Sequence, residues 1–138
     1  MEPVQNKGKI LVVDDDRILL DMYKERLLSY GYEVVTATDG DEVLDVAKKE
    51  LPDCILLDIV LPNKNGFDVL RNLRVTSETR EIPVVLLTAL VQESNRQKGM
   101  DEGADDFVLK SETKVGDVIT KIHQAIDKRK NVRTIQEN

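Results

Sequence analysis

Four short aliphatic runs in this chain each end at a polar residue. The runs are Ile10–Val13, Cys54–Leu57, Val84–Leu87 and Phe107–Leu109, and the residues that follow them are Asp14, Asp58, Thr88 and Lys110. Apolar runs without alternation are typical of strands that are covered on both faces, as in a parallel sheet. Because ligands bind beyond the carboxyl ends of such strands, these polar groups are predicted to meet at one edge. They would suit a divalent cation and a phosphoryl group.

Strand-like and helix-like segments alternate five times along the chain. The strands are predicted near residues 9–14, 33–37, 53–58, 82–88 and 105–110. With right-handed crossovers, this alternation gives an α/β fold with a (βα)₅ doubly wound parallel sheet, a flavodoxin-like three-layer sandwich. The expected strand order is 2-1-3-4-5, in which the second strand lies at an edge and the other four surround the predicted site.

The fourth predicted helix, roughly Glu93 to Glu102, is poor in apolar residues. Met100 is its one strong apolar anchor, and Gly99 lies inside it. We expect a helix with so little apolar area to be weakly held and to shift at low cost. The alternative is a frayed surface helix that has no role.

The length and composition of the chain indicate one globular domain. The 138 residues are 41% hydrophobic and 33% charged. Residues 1–7 are interpreted as an N-terminal extension, 8–128 as the domain and 129–138 as a C-terminal tail. No segment reaches membrane-spanning length, and residues 1–7 do not resemble a signal peptide. The net charge of -6 argues against direct binding of nucleic acid by this chain.

The single cysteine, Cys54, lies inside an aliphatic run. An intramolecular disulfide is therefore excluded, and a buried, inert thiol is expected rather than a reactive one. Cysteine usage and the absence of a signal-like segment predict a cytoplasmic location without membrane association.

With Asp15 beside Asp14, the predicted site has up to three carboxylates at one sheet edge, and their mutual repulsion predicts a bound cation. Two unit charges about 4 Å apart repel by about 4 kcal/mol at an effective dielectric constant near 20. Carboxylate oxygens suit Mg²⁺ or Mn²⁺ better than zinc, and one histidine and one cysteine far apart offer no credible soft-metal site.

The chain resembles the receiver domains of two-component response regulators, the CheY-like proteins, over about residues 8 to 128. Four segments in register carry the resemblance: the acidic Asp14-Asp15-Asp16, the acceptor loop from Asp58 to Gly66, the pair Thr88-Ala89, and the segment from Gly103 to Lys110. Each segment alone is weakly specific, but together they are very specific.

The resemblance implies a role for each matching residue. Asp58 would take a phosphoryl group from the phosphohistidine of a sensor histidine kinase or a histidine phosphotransfer protein. Asp15, Asp58 and the backbone carbonyl of Val60 would hold the metal ion, and Asp14 would contribute mainly through water. Asp16 is interpreted as a solvated or helix-capping residue. The chain would be a phosphoacceptor rather than an enzyme, phosphorylated also by small phosphodonors and slow to dephosphorylate itself.

The resemblance also implies a switch. Lys110 would pair with Asp58 and then with the phosphoryl oxygens, Thr88 would hydrogen-bond the phosphoryl group, and Phe107 would then move inward. The surface of the fourth helix, fifth strand and fifth helix would change. A downstream protein partner, or a second copy of the chain in a homodimer, would bind there.

The chain departs from the family pattern at several positions. Ser111 follows Lys110 where proline is usual, so the peptide there is expected to be trans and the loop differently shaped. Lys64-Asn65 replaces the common Met-Asp before Gly66. The residues two after the acceptor and two after the switch threonine are the aliphatic Val60 and Leu90, which predict a long-lived phosphorylated state.

Three other functions fit the residues of this chain less well. A nucleotide- or flavin-binding protein would need a glycine-rich loop after the first strand, where this chain has Asp14-Asp15-Asp16-Arg17. A dehalogenase-like phosphatase would need an acid at position 60, which is valine. A degenerate receiver that only docks proteins is opposed by the complete set of acids, hydroxyl and lysine.

Overall fold

The computed structural model describes residues 7–89, 92–110 and 113–137, and it describes side chains as far as residue 131. Five strands alternate with five helices within these ranges. Their bounds are β1 Lys9–Val13, α1 Arg17–Ser29, β2 Glu33–Ala37, α2 Gly40–Glu50, β3 Cys54–Leu57, α3 Gly66–Val75, β4 Val84–Thr88, α4 Glu93–Asp101, β5 Asp106–Leu109 and α5 Val115–Glu137.

The sheet confirms the predicted topology. All neighbouring strands are parallel, and the order is β2-β1-β3-β4-β5. Every residue of β3 and β4 is buried, as expected for strands with helices on both faces. The register places Val13 beside Leu57 and Thr88 beside Leu109. Asp14, Asp58 and Lys110 therefore follow their strands at the same edge.

Two apolar cores lie on opposite faces of the sheet, because successive strand residues point to opposite faces. One face of β1, including Ile10 and Val12, packs with buried residues of α1 and α5. The other face, including Leu11 and Val13, packs with α2 and α3. Cys54 is fully buried, and burial raises the pKa of its thiol, as the prediction of an inert cysteine requires.

The anchor of α4 differs from the prediction. Met100 is 40% exposed, and the buried residue of the helix is Gly99. The expectation that Met100 anchors this helix is therefore wrong. A side chain at position 99 would collide with the core, since a Cβ there would lie 2.5 Å from the Cδ1 atom of Leu86. Glycine lets the α4 backbone approach β4 closely, which a search for apolar side chains does not detect.

The last helix, α5, continues to Glu137, through residues 129–137 that were interpreted as a tail. Residues 127–137 contain no glycine or proline, and several are good helix formers, so the sequence gives the helix no reason to stop at residue 128. Within the part of the chain that the structure describes, no helix has the length and apolarity needed to cross a membrane.

Candidate functional site

Two carboxylates, those of Asp14 and Asp58, sit side by side at the carboxyl edge of the sheet. The backbone N–H of Asp58 donates to the carbonyl of Val13 at 3.0 Å, which continues the pairing of β1 with β3 past the last strand residue. Asp14 is 2% exposed and Asp58 5% exposed. The predicted meeting of these two acids is therefore observed, in a nearly dry environment.

Lys110 joins the two acids. Its Nζ atom lies 2.8 Å from Oδ2 of Asp14 and 3.0 Å from Oδ2 of Asp58. The backbone N–H of Lys110 donates to the carbonyl of Thr88 at 2.8 Å, so the end of β4 holds the lysine at this edge. The family resemblance predicts Asp58 as the partner of Lys110, and the structure adds Asp14 as a second partner.

Burial and mutual charge shift the ionisation of this group. Burial, assisted by the negative charge of Asp14, raises the pKa of Asp58 despite its hydrogen bond from Lys110. Burial acts to lower the pKa of Lys110, but hydrogen bonds and charge attraction from Asp14 and Asp58 outweigh it and raise that pKa. The lysine is therefore firmly charged as an ammonium, whereas burial makes the ionised form of Asp58 energetically unfavourable.

Asp15 completes an acidic cluster that fits a hard divalent cation. One carboxylate oxygen from each of Asp14, Asp15 and Asp58 lies within 4.8 Å of the others. Asp15 is exposed, so the cluster opens to solvent on its side. Three oxygen donors with room for water match the ligand preference of Mg²⁺ or Mn²⁺. The ammonium of Lys110 contacts Asp14 and Asp58, and a cation would offset the excess negative charge of the cluster.

The loop after β3 supports the carboxylate of Asp58. The backbone N–H of Val60 donates to Oδ1 of Asp58 at 3.2 Å. Gly66, the first residue of α3, packs directly behind Asp58, because a Cβ at position 66 would lie 2.5 Å from the carbonyl oxygen of Asp58. The Val60 side chain is 57% exposed. Val60 and Gly66 thus support Asp58, whose Oδ2 atom contacts Lys110, and the aliphatic side chain of Val60 is left at the rim of the site.

Thr88 is the last residue of β4, and Phe107 lies within the neighbouring strand β5, where it pairs with Leu86. Thr88 is fully buried and Phe107 is 5% exposed. Phe107 lies beside α4, since its ring carbon Cδ2 would be 3.4 Å from a Cβ on Gly99. The ring therefore already occupies a buried position in this structure, and its predicted inward movement stays a prediction.

Asp16 acts as the N-cap of α1, as predicted. Its Oδ1 atom accepts hydrogen bonds from the backbone N–H groups of Ile18 at 3.0 Å and Leu19 at 3.3 Å. It is therefore committed to the helix rather than to the cluster. Leu90 and Ser111, at which the sequence departs from the family pattern, lie outside the described residues.

Contacts between α3 and α4 were missed by the sequence analysis. The guanidinium of Arg71 forms two hydrogen bonds with the carboxylate of Glu102, at 2.7 and 3.1 Å. The Nζ atom of Lys98 lies 4.7 Å from the centre of the Phe67 ring. Pairs about 30 residues apart leave no local pattern in the sequence, so no signal in one chain could have revealed them.

Comparison with known proteins gives a consistent result. The profile of the family described as "Response regulator receiver domain" matches residues 10–125. The chain is 45% identical over 103 residues to the transcriptional regulatory protein CpxR of Escherichia coli, and 45% identical over 103 residues to the response regulator PleD of Caulobacter vibrioides. It resembles the BeF3-activated N-terminal receiver domain of Klebsiella pneumoniae RstA with a TM-score of 0.79 and 32% identity, covering 86% of this chain and 97% of that one.

The match covers only part of the relatives. The aligned region is 75% of this chain but 43% of CpxR and 23% of PleD. The similarity therefore concerns one domain of those regulators, and it does not extend to the rest of their length.

Proposed function

Because the chain belongs to the response regulator receiver domain family, we propose that it accepts a phosphoryl group on Asp58 and then switches a surface that controls a partner. The observation that carries the proposal is the position of Lys110, whose ammonium contacts both Asp14 and Asp58 beside the exposed Asp15. This arrangement supplies a nucleophilic carboxylate and the positive charge that phosphoryl transfer requires.

In the proposed reaction, an Oδ atom of Asp58 attacks the phosphorus of a phosphohistidine on a sensor histidine kinase or a phosphotransfer protein. The new P–O bond forms an acyl phosphate as the P–N bond breaks, and the departing imidazole nitrogen keeps the electron pair and takes up a proton. Lys110 then faces the phosphoryl oxygens. Catalysis consists of positioning and charge neutralisation, without an added acid or base on the protein.

Mg²⁺ or Mn²⁺ is the proposed cofactor. Asp15, Asp58 and the backbone carbonyl of Val60 would hold the ion, with Asp14 contacting it through water. The ion would neutralise negative charge on the transferring group. The compact set of three carboxylates supports this assignment, because all of its donor atoms are hard oxygens.

The proposed output is a change in the surface formed by α4, β5 and α5, to which a partner protein or a second copy of the chain would bind. The weak apolar anchoring of α4 supports this choice, since such a helix can move at low cost. A cytoplasmic location is part of the proposal, in line with the buried, free Cys54. The alternative of a degenerate docking receiver lacks support, because the acids, Thr88 and Lys110 are all present at one edge.

Acetyl phosphate treatment followed by Phos-tag electrophoresis tests the acceptor. The wild-type chain is expected to shift in the presence of Mg²⁺, and Asp58→Asn should abolish the shift. Asp15→Asn should weaken Mg²⁺ binding and slow phosphorylation by about tenfold or more, as expected for the loss of a charged metal ligand. A stable acyl phosphate detected by mass spectrometry on Asp58→Asn would contradict the assignment.

The switch is tested by amide chemical shifts with and without beryllofluoride. Changes are expected across residues 88–110, which include Thr88, α4 and Phe107. Shifts confined to the immediate neighbours of Asp58, with α4 and β5 silent, would reject the switch while leaving the acceptor assignment intact.

A further inference from the structure

The loop after the acceptor is fastened at its outer end to a different part of the fold. The turn between β2 and α2 lies next to this loop and contacts it twice. The side-chain amide of Asn63 donates a hydrogen bond to Oδ2 of Asp39. The backbone N–H of Gly40 donates to the carbonyl of Pro62 at 3.2 Å. We call these two contacts the loop latch.

Asp39 has two tasks in this latch. Its Oδ1 atom accepts from the backbone N–H of Asp41 at 2.8 Å and caps α2, while its Oδ2 atom is free to accept from Asn63. The carboxylate is therefore held by a helix N-terminus, which favours negative charge. An acceptor fixed in this way presents a defined position to the loop.

The loop latch depends on the residue type at two positions, Asn63 in the loop and Gly40 in the turn. Asn63 has φ of +68°, a left-handed conformation that asparagine tolerates better than most residues. Gly40 is buried against the loop, and a Cβ there would lie 2.0 Å from the carbonyl oxygen of Lys64. Only glycine permits this approach, so the turn and the loop are built to meet.

The latch acts on the segment that carries the proposed metal ligands. The loop is held at its inner end by Gly66 behind the Asp58 backbone, and by the Val60 N–H on Asp58 Oδ1. Between these supports and the latch lie only a few residues. We propose that Asp39 and Asn63 are positioning residues for the Mg²⁺ site: by fixing the outer end of the loop, they orient the Val60 carbonyl and Asp58. This inference rests on the proposed function.

The test compares Asn63→Asp with the double variant Asp39→Asn/Asn63→Asp. The single variant places two carboxylates against each other and should open the latch. The double variant restores a donor and an acceptor in exchanged positions, and both asparagine and aspartate suit an N-cap and a left-handed residue. Mg²⁺ affinity, measured by titration calorimetry, is expected to fall roughly three- to tenfold in the single variant, the range of one ordinary intramolecular hydrogen bond. It should recover in the double variant.

The sign of this effect separates positioning from simple electrostatics. Asn63→Asp adds a negative charge near a cation site, which by charge attraction alone would tighten Mg²⁺ binding. Weaker binding is therefore specific to a displaced loop. Asn63→Gly permits the left-handed backbone, removes the whole side chain with its amide, adds no charge, and is expected to weaken binding similarly.

A second readout does not depend on the metal. In the metal-free protein, hydrogen exchange of the amides of residues 59–66 should speed up in Asn63→Asp and Asn63→Gly and return to the wild-type rate in the double variant. Asp45→Asn, which removes a charge from an exposed position on α2, serves as the control and should change neither readout.

The experiments distinguish failure of the positioning role from failure of the proposed function. If wild-type protein binds Mg²⁺ and is phosphorylated on Asp58, but Asn63→Asp shows unchanged or tighter Mg²⁺ binding, the positioning role is wrong and the proposed function stands. If the double variant is as impaired as the single one, the exchange of partners does not operate and the inference is also overturned. If wild-type protein neither binds Mg²⁺ nor becomes phosphorylated, the proposed function itself fails.

Discussion

At the scale of single residues, the site combines one firmly charged ammonium with a carboxylate that is costly to ionise. Lys110 contacts Asp14 and Asp58 within 3.0 Å, and burial raises the pKa of Asp58. A buried carboxylate with one ammonium partner and an open, acidic side is poised to gain a cation. The meeting of these three residues is predictable from the sequence, because each follows a strand. Parallel register brings the residues after β1, β3 and β5 to a common edge.

Val60 is the residue at which the lifetime of the acyl phosphate can be tested. Its side chain is 57% exposed at the rim of the site and has no polar atom to orient a water for in-line attack on phosphorus. We therefore expect a lifetime of minutes to hours, and we expect Val60→Asn to shorten it by roughly ten- to a hundredfold, at or below the lower end of typical general-base contributions. Release of phosphate after rapid removal of the donor measures the rate.

The matched control for Val60→Asn is Val60→Ala, which shortens the side chain without adding a polar group. It should leave the lifetime within about threefold of wild type, because neither side chain can orient a water. A wild-type half-life of seconds in Mg²⁺ buffer would refute the slow decay. Equal acceleration by alanine and asparagine would show that bulk, rather than polarity, sets the rate.

At the scale of elements, α4 shows where prediction from sequence stops. The weak apolar anchoring of α4 was evident from its composition, but Gly99, rather than Met100, is buried against Leu86. The ion pair of Arg71 with Glu102 also depends on how two helices dock. Strands follow from local apolar runs, whereas contacts between helices depend on tertiary placement, which one sequence does not encode locally.

Replacing Gly99 by alanine tests the close approach of α4. A Cβ would lie 2.5 Å from Cδ1 of Leu86, which is fully buried and has little room to move. We expect Gly99→Ala to lower the free energy of unfolding by about 1–3 kcal/mol, as typical of an overpacked core. Chemical denaturation measures this change, and amide shifts in residues 93–109 should report the displaced helix.

Gly116 provides a control within the same chain. It also lies in a helix, α5, but among the described residues no atom that would crowd a Cβ lies within 4 Å of it. Gly116→Ala should therefore raise the free energy of unfolding by up to about 1 kcal/mol, the difference in helix propensity. A stability change of the same sign in both variants would mean that packing against Leu86 does not constrain α4.

At the scale of the whole molecule, the two edges of the sheet differ in the balance of their positive and negative side chains. At the amino edge, Asp105 accepts from two guanidiniums, Arg74 at 3.0 Å and Arg129 at 2.7 Å. At the carboxyl edge, Asp14 and Asp58 share the ammonium of Lys110, and the carboxylate of Asp15 lies close to both acids. At the amino edge, the two guanidiniums balance the charge of Asp105 and link α3 and α5 to the start of β5. The carboxyl edge keeps an excess of negative charge, which lowers stability until a cation binds.

This imbalance predicts how global stability depends on pH in metal-free buffer. Burial raises the pKa of Asp58 above its usual value of 3.8, so the folded state disfavours the carboxylate relative to the unfolded chain. The resulting penalty is fully present above the folded pKa. It shrinks as the pH falls through the folded pKa and disappears below the usual carboxyl pKa, where both states are protonated.

Asp58→Asn removes the titrating group and should make the metal-free protein more stable at pH 7. A gain on the order of 1 kcal/mol, or roughly 3–5 °C in the unfolding midpoint, is the expected size for a domain of this length. The gain should shrink as the pH is lowered from 7 toward 4, because wild-type Asp58 then becomes neutral as well.

Mg²⁺ should stabilise the wild type by mass action and the variant much less. Calorimetric unfolding at several pH values, with exposed Asp45→Asn as the charge control, measures these differences. A gain that is independent of pH, or equal in the control, would show that net charge rather than the buried Asp58 limits the stability of the fold.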